Sequence, residues 1–314
     1  MPIVEHDPWR KQYFEHVACP DDVFISTDDT DSYALYPEHR WIHNKLIVAE
    51  SQGLRCAPHG IAPKEFPVFS KPIYNLRGMG LETRVFSSLD EYLAQRDPGH
   101  MWVELLVGEH ASSDVAVVKG RPVWWRHVVG KPGPHQTFDY WTVLADQRQT
   151  VEEYCTEWIQ EHFATYTGMM NLETIGGKII EGHLRFADQW PDLYGKGWLD
   201  ALVRLYVNGT WSYDDSDRRE GYSVVRHETH GARYRHPPST LVEEICRDER
   251  IASVQITFHE DKPAELHAMP PGGFRSAIVN CWDLDAGLSA RTRLTAWFSE
   301  SREIRPTRRR RLGV

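Results

Sequence analysis

An apolar hairpin near the middle of the chain carries side chains that could bind a metal ion. Residues 170–175 and 178–183 are strand-like runs on either side of a Gly-Gly pair, which predicts a tight turn between them. On such a hairpin Glu173 and Glu181 lie on facing strands. Two carboxylates could therefore converge on one hard cation.

The second strand of this hairpin adds an imidazole and a guanidinium. His183 and Arg185 follow Glu181 at steps of two, so all three side chains share one face. This composition suits Mg²⁺ held between carboxylates and nucleotide phosphates, with an arginine that stabilises charge on a transferred phosphoryl group. The alternative is an exposed, charged hairpin. Ile179 and Ile180 argue against it, because charged groups on a covered strand need partners.

Two further segments could contact a nucleotide. Lys71 lies near the end of the strand-like run 66–72 and precedes the loop 77–80, which is Arg-Gly-Met-Gly, so it could hold phosphate oxygens. Segment 101–110 is an apolar strand that becomes acidic, and it could offer backbone groups to a base and a carboxylate to ribose. Each signal is weak alone, because no Walker-type motif is present and the second segment could be an ordinary edge strand.

Composition and charge narrow the class of protein. The 314 residues are 41% hydrophobic and 11% aromatic, which is enough for a packed core. The formal net charge of −9 disfavours nucleic acid and acidic lipid as partners. Five scattered cysteines without a C-x-x-C pair suggest neither a disulfide framework nor a zinc ribbon. With no apolar run long enough to span a bilayer, we expect a cytoplasmic protein without a membrane partner.

The elements around these residues predict an α+β fold with a mainly antiparallel sheet. We expect the first 37 residues to supply only a strand or two, and segments 113–118 and 122–128 to form a hairpin. Helices are predicted at 37–52, 88–93 and 151–166. Beyond residue 197 strands are predicted at 201–207, 210–213, 253–259 and 277–281, with Asn208-Gly209 as a hairpin turn.

In their order and rough spacing these segments resemble the ATP-grasp superfamily, above all the nucleotide site of biotin carboxylase and the carboxylate–amine ligases. The resemblance covers about residues 38–190, and five loose motifs in the right order carry it. The matching segments are His43-Asn44-Lys45-Leu46, Cys56-Ala57-Pro58, Pro67-Val68-Phe69-Ser70-Lys71-Pro72, 103–109 with Ser113-Asp114-Val115, and Glu173 with 179–185. The resemblance implies an ATP-grasp fold with two α+β subdomains around an ATP cleft.

The resemblance also implies ATP and Mg²⁺ as cofactors and assigns roles to individual residues. Phosphate oxygens would be bound by Lys45 and Lys71, and ribose by Glu109. The adenine pocket would be lined by Glu104, Leu105, Leu106 and Val107. The metal would be bound by Glu173 and Glu181 together with His183, which stands where the family usually has a metal-binding asparagine. Arg185 would face the transferred phosphate, with Lys71 as the second catalytic residue.

The ends of the chain depart from the family pattern. Segment 1–37 is much shorter than the family's N-terminal substrate domain, and 38–196 would form the ATP-grasp core. We therefore expect the strand-rich region 197–314, which ends in a basic tail, to complete the substrate cleft. Its basic groups suit an anionic substrate, and the candidates are Arg226, Arg275 and the loop 270–273.

The function that these features imply is an ATP- and Mg²⁺-dependent ligase. It would activate a carboxylate as an acyl phosphate and couple it to an amine, with amino acids or peptide-like molecules as substrates. Two alternatives stay open: an ATP-binding regulatory protein without catalysis, and a small-molecule kinase that stops at phosphoryl transfer. The sequence also leaves open whether the protein forms a homodimer.

Overall fold

The computed structural model describes residues 3–76, 82–134, 137–267 and 273–304. The predicted glycine loop 77–80, residues 270–272 of the predicted substrate loop and the basic tail 305–311 lie outside the described residues. Within the described ranges, every helix is too short or too polar to cross a membrane.

The N-terminal segment contributes small elements, as the sequence predicts. Strand β1 (Ile3–Val4) pairs in parallel with β2 (Ile25–Ser26), and helix α1 (Pro8–Lys11) lies between them in the chain. Helix α2 (Asp29–Leu35) follows, and the side chain of its N-cap, Asp28, accepts a hydrogen bond from the backbone of the first turn.

The helix predicted over 37–52 is interrupted, so that prediction is wrong in its middle. The structure has a 3₁₀ helix at Pro37–His43 and then α3 at Lys45–Glu50. Asn44 between them has extended backbone angles, and its side chain accepts hydrogen bonds from the N–H groups of Leu46 and Ile47. Asparagine favours this capping role over a helix interior, which explains the break.

A small antiparallel sheet of four strands forms one lobe of the molecule. In the order in which they pair, its strands are β3 (Cys56–Pro58), β6 (His100–Glu104), β4 (Val68–Pro72) and β5 (Arg84–Phe86). Helix α4 (Leu89–Gln95) packs Tyr92 against this sheet, and α3 packs Ala49 against it. Lys71 sits on β4 in the middle of this sheet, opposite Met101 of β6.

An antiparallel sheet of eight strands forms the second lobe. In chain order its strands are β7 (His110–Val118), β8 (Arg121–Pro132), β9 (Phe138–Val143), β10 (Gly168–Ile175), β11 (Lys178–His183), β12 (Gly221–Thr229), β14 (Ile251–Ile256) and β15 (Gly273–Cys281). They pair in the order β11-β10-β7-β8-β9-β12-β15-β14. The strands beyond residue 197 therefore extend the same sheet that carries the hairpin β10–β11. A separate short pair joins β13 (Ala232–Arg233) to β16 (Glu303–Ile304).

Helices cover both faces of this large sheet. They are α5 (Gln149–His162), α6 (Trp198–Asn208), α7 (Ser239–Cys246) and α8 (Leu284–Ser301). Side chains of β7 alternate between the faces: Val115 and Val117 pack with Trp158 of α5, whereas Ala116 packs with Trp198 of α6. The sheet is buried on both sides, so its polar side chains are confined to positions where partners or a cleft receive them.

Two strands predicted after residue 197 are wrong. Residues 201–207 belong to helix α6, and no strand forms at 210–213. The apolar run suits a helix because Ala201, Leu202 and Leu205 share one buried side at helical spacing. Asn208-Gly209 is the end of this helix and not a hairpin turn: Gly209 has φ 64° and returns its N–H to Leu205 O.

Candidate active site

A cleft of about 630 Å³ separates the small sheet from the large sheet. Phe69 and Lys71 line it on the small-sheet side, and Phe138 and Trp141 of β9 line the opposite side with ring centroids 4.1 Å apart. A cavity of this size, mainly apolar with a few charged groups, is typical of a small-molecule site. The charged residues on its walls are Lys71, Arg84, Glu104, Glu173, Glu181, Arg185 and Arg275.

The predicted metal ligands come together at one end of this cleft. Glu173 and Glu181 lie on facing strands, as predicted, and a bulge at Ile180 makes them direct partners across β10 and β11. One ligand atom from each of Glu173, Glu181 and His183 lies within 4.8 Å of the others. Among the described residues this is the only such group of three histidine, cysteine or acidic side chains.

Each carboxylate of this group has one oxygen bound by a basic side chain. Lys45 Nζ lies 2.5 Å from Glu181 Oε1, and His110 Nε2 lies 3.1 Å from Glu173 Oε2. Burial alone raises the pKa of Glu173, but the hydrogen bond and charge of His110 outweigh it and hold that pKa below the usual range. Glu173 is therefore ionised at neutral pH and available to a cation.

Asp29 is a site residue that sequence reasoning missed. It is 5% exposed and accepts hydrogen bonds from His183 Nδ1 at 2.9 Å and from Arg185 Nε at 3.1 Å. Burial raises the pKa of Asp29, but the charge of Arg185 and the hydrogen bond from His183 more than offset burial and keep the carboxyl ionised. The N-terminal segment thus orients two predicted site residues. The only indication in the sequence is that Asp29 belongs to the acidic run 28–31. No local pattern links this run to residues about 150 positions away.

The two predicted phosphate-binding lysines occupy different positions. Lys71 lines the cleft and is 4% exposed, and its Nζ donates to Ile180 O at 2.7 Å. Burial lowers the pKa of Lys71 to about 8, an effect that Glu181 partly opposes. Lys45 lies outside the cleft lining, in a small adjacent cavity with Asp29 and His183, where it is paired with Glu181.

The segment predicted to bind adenine and ribose divides into two parts. Glu104, Leu105 and Leu106 line the cleft, but Val107 is 80% exposed and Glu109 is paired with Arg148 at 3.2 Å, both outside the lining. This segment passes so close to the turn between β10 and β11 that a glycine is needed in the turn. Gly176 has φ +57°, and a Cβ there would lie 2.4 Å from the carbonyl oxygen of Val107.

Arg275 of β15, a predicted substrate residue, lies in the cleft lining. Its Nη1 donates to Gln189 Oε1 at 2.8 Å, and its Nε is buried without a partner among the described residues. Burial lowers the pKa of Arg275 to about 10, and Arg10 adds to the effect, so the side chain remains a cation at neutral pH. His227, which pairs with Arg275 across β12 and β15, also lines the cleft. Burial and Arg275 lower the pKa of His227 to about 4, so this imidazole is neutral.

The structure does not bring Arg226 into the cleft, which corrects the expectation that it faces the substrate. Arg226 lies on the other face of β12, where it pairs with Glu228 and donates to Thr295 of α8 at 3.1 Å. Its guanidinium also lies 4.4 Å from the ring centroid of Phe298. Successive strand residues face opposite sides, so only one of Arg226 and His227 can reach the cleft.

Solved structures show which fold this arrangement belongs to, although no protein-family model and no curated protein matches the sequence. The L-amino acid ligase from Bacillus licheniformis aligns with a TM-score of 0.56 at 10% identity, over 94% of this chain and 83% of that one. The carboxyaminoimidazole ribonucleotide synthase from Aspergillus clavatus, complexed with ATP, aligns with a TM-score of 0.58 at 13% identity, over 89% and 82%. The chain has the ATP-grasp fold. The predicted α+β class and the predicted ATP-grasp fold are both confirmed.

A third ATP-grasp structure was solved with a magnesium nucleotide. The biotin carboxylase domain of 2-oxoglutarate carboxylase from Hydrogenobacter thermophilus, in complex with MgADP and bicarbonate, aligns with a TM-score of 0.53 at 13% identity. The alignment covers 86% of this chain and 68% of that one. At such identities the likeness extends to the fold alone. The chemistry of this chain depends on its own side chains.

Proposed function

We propose that this protein is an ATP- and Mg²⁺-dependent ligase that activates a carboxylate and couples it to an amine. The observation that carries the proposal is the convergence of Glu173, Glu181 and His183 in one cleft with the buried cation of Lys71. Neighbours with the same fold include an amino acid ligase and complexes with ATP and MgADP, which supports a nucleotide in this cleft.

The nucleotide would lie between the two sheets. Leu105, Leu106 and Phe69 offer an apolar surface suited to a purine, and Lys71 offers a buried ammonium to the phosphates. Because the pKa of Lys71 is only about 8, an anion bound beside it would be stabilised by a charge that burial has left poorly solvated. Lys45 would act mainly by holding Glu181, to which it is already paired.

The side chains present fit a divalent cation. His183 Nε2 is buried without a partner among the described residues, and Glu173 and Glu181 each turn one carboxylate oxygen toward it. When bound there, Mg²⁺ would neutralise charge on the phosphates of the nucleotide. Arg185, which Asp29 holds in place, would stabilise charge that develops on the transferred phosphoryl group.

The part of the cleft around Arg275 supports carboxylate activation. Arg275 has an unpartnered Nε, and no described carboxylate lies within ion-pair distance of it, so its charge is available to a substrate anion. A carboxylate oxygen held there would attack the γ-phosphorus, and ADP would leave. An amine would then attack the acyl carbon and expel phosphate. Phe138 and Trp141 would shield the acyl phosphate from water.

The test is the product pattern with mixed substrates. The protein, incubated with ATP, Mg²⁺ and pools of amino acids, should release ADP and phosphate only when a carboxylate and an amine are both present. A Glu181→Gln variant should lose this turnover, and an Asp90→Asn variant of an exposed residue should keep it. Release of AMP, or no turnover with any pool, contradicts the proposal. A stable phosphorylated product would indicate a kinase, and binding without turnover a regulatory protein.

A further inference from the structure

His183 gives this cluster a nitrogen ligand beside two carboxylates. Its Nε2 is buried, lacks a hydrogen-bond partner among the described residues, and lies 4.0 Å from Glu173 Oε1 and 3.9 Å from Glu181 Oε2. The residue as a whole is 6% exposed. A buried ring nitrogen that faces two carboxylate oxygens without bonding to either is unfavourable unless something binds between them.

We infer that this site binds a first-row transition-metal dication, for which we name Mn²⁺, more tightly than Mg²⁺, with His183 Nε2 as a direct ligand. Asp29 is the positioning residue that holds His183 for this role. The inference deepens the proposed function and rests on it, because that function explains why the cleft would bind a metal.

The atoms that would bind the ion are the ones that the protein leaves free. Glu181 Oε1 is taken by Lys45 and Glu173 Oε2 by His110, so one oxygen of each carboxylate remains. Those oxygens are the two that lie 3.9–4.0 Å from His183 Nε2. A cation needs roughly 2.0–2.2 Å to each nitrogen or oxygen ligand, so atoms at this separation can share one ion with little movement.

Asp29 decides which nitrogen of His183 faces the cluster. Both oxygens of Asp29 lie within 3.0 Å of His183 Nδ1. An ionised carboxylate can only accept, so Nδ1 carries a proton and donates it, and in the neutral ring the lone pair is therefore on Nε2. Arg185 donates to the same carboxylate and keeps it in place. A carboxylate behind a histidine fixes the ring and makes its other nitrogen a stronger metal ligand.

The identity of the ligands determines the preference between metals. Mg²⁺ favours oxygen ligands in a strict octahedron and retains its waters, so a neutral imidazole contributes little to its binding. Affinity of mixed nitrogen and oxygen sites for divalent metals is higher for the first-row transition ions, and Mn²⁺ also accepts carboxylate and phosphate oxygens. One imidazole with two carboxylates therefore favours Mn²⁺ over Mg²⁺.

The experiment measures metal binding directly on the full chain. Metal-stripped protein is titrated with MnCl₂, free Mn²⁺ is followed by electron paramagnetic resonance, and MgCl₂ is used as competitor. We expect Mn²⁺ to bind at least about tenfold more tightly than Mg²⁺. Pulsed measurements on bound Mn²⁺ should show coupling to an imidazole ¹⁴N.

Three variants separate ligation from a merely structural role. His183→Asn should keep metal binding, lose the ¹⁴N coupling and reduce the Mn²⁺ preference toward unity. Asp29→Asn should weaken Mn²⁺ binding by about 10- to 100-fold. His16→Asn, at an exposed histidine outside the site, should match the wild type. Circular dichroism verifies folding, and the His183→Asn result stands on its own if Asp29→Asn does not fold.

Two results would overturn the inference. One is an equal preference for the two metals in the wild type, and the other is a ¹⁴N coupling that persists in His183→Asn and so belongs to another histidine such as His110. Binding of ADP is titrated separately without metal. If Mn²⁺ binds through His183 and ADP does not bind, the proposed function fails and the inference holds. If ADP binds and the ¹⁴N coupling is absent, the inference alone fails.

Discussion

Replacing Lys71 by methionine should stabilise the nucleotide-free protein and weaken nucleotide binding. Lys71 is 4% exposed, and burial lowers its pKa from 10.5 to about 8. At about 1.4 kcal/mol per pKa unit, keeping the ammonium charged at neutral pH costs about 3 kcal/mol of folding free energy. The unfolded chain binds more protons between those two values, so this cost is constant below pH 8 and is relieved as the pH rises through 8.

Methionine has a similar length and no charge, so it removes that cost. It also leaves Ile180 O without its donor, which costs roughly 1–3 kcal/mol. The net gain in the free energy of unfolding should be about 0–2 kcal/mol. In contrast, the loss of a charge-assisted contact to phosphate should weaken ADP binding by about 1.5–3 kcal/mol, which is roughly 10- to 150-fold.

Urea denaturation without nucleotide and calorimetric titration with ADP measure the two effects. Lys64→Met is the matched control, since Lys64 is an exposed lysine of the small lobe outside the cleft lining. It should leave both quantities unchanged. If Lys71→Met destabilised the protein by more than about 1 kcal/mol, the estimate of its burial cost would be wrong. Unchanged ADP affinity would refute the role of Lys71 in phosphate binding.

Three further predictions concern charge in and near the cleft. The affinity for ADP should fall by up to about tenfold between pH 7 and 9 as Lys71 loses its proton, and a Lys71→Arg variant should show a flat profile; equal slopes would contradict this. Asp29→Asn should destabilise the protein by about 3 kcal/mol at neutral pH in urea denaturation. Because the pKa of Asp29 is lowered on folding, that difference should shrink as the pH falls below about 4, and a constant difference would point to packing alone. Arg275→Met should raise the KM for the carboxylate substrate at least about tenfold with ADP affinity unchanged, whereas Arg226→Met should affect only stability; wild-type kinetics for the first variant would remove Arg275 from the site.

The hairpin that carries Glu173 and Glu181 could be predicted from sequence because its information is local. A Gly-Gly turn between two apolar runs leaves little choice of register, and a slip by one residue would turn every side chain to the opposite face. A bulge at Ile180, which the turn does not predict, shifts the pairing by one residue and places Glu181 opposite Glu173. The order of the motifs around it was enough to predict the fold, since they mark helix α3 and then successive strands of the two sheets.

The remaining features depend on tertiary contacts or on small differences in local backbone structure and packing. Asp29 reaches His183 across 154 residues, and no periodicity reports such a contact. The position of Arg275 depends on a bulge in β15: Arg226 pairs with Ala277 and His227 with Arg275, so Ser276 is skipped and Arg275 lies beside His227 in the cleft. The short apolar run 201–207 suits a strand or a helix, and packing of Trp198 in the core selects the helix.

The central claim, that a substrate carboxylate is activated as an acyl phosphate, is tested most directly by following the oxygen atoms of that carboxylate. Amino acids labelled with ¹⁸O in both carboxylate oxygens are incubated with the protein, ATP and Mg²⁺ or Mn²⁺, and the released phosphate is analysed by mass spectrometry. If the carboxylate attacks the γ-phosphorus and an amine then expels phosphate, each phosphate must carry one ¹⁸O. Phosphate without label, or label in AMP, would contradict the proposed acyl-phosphate ligase.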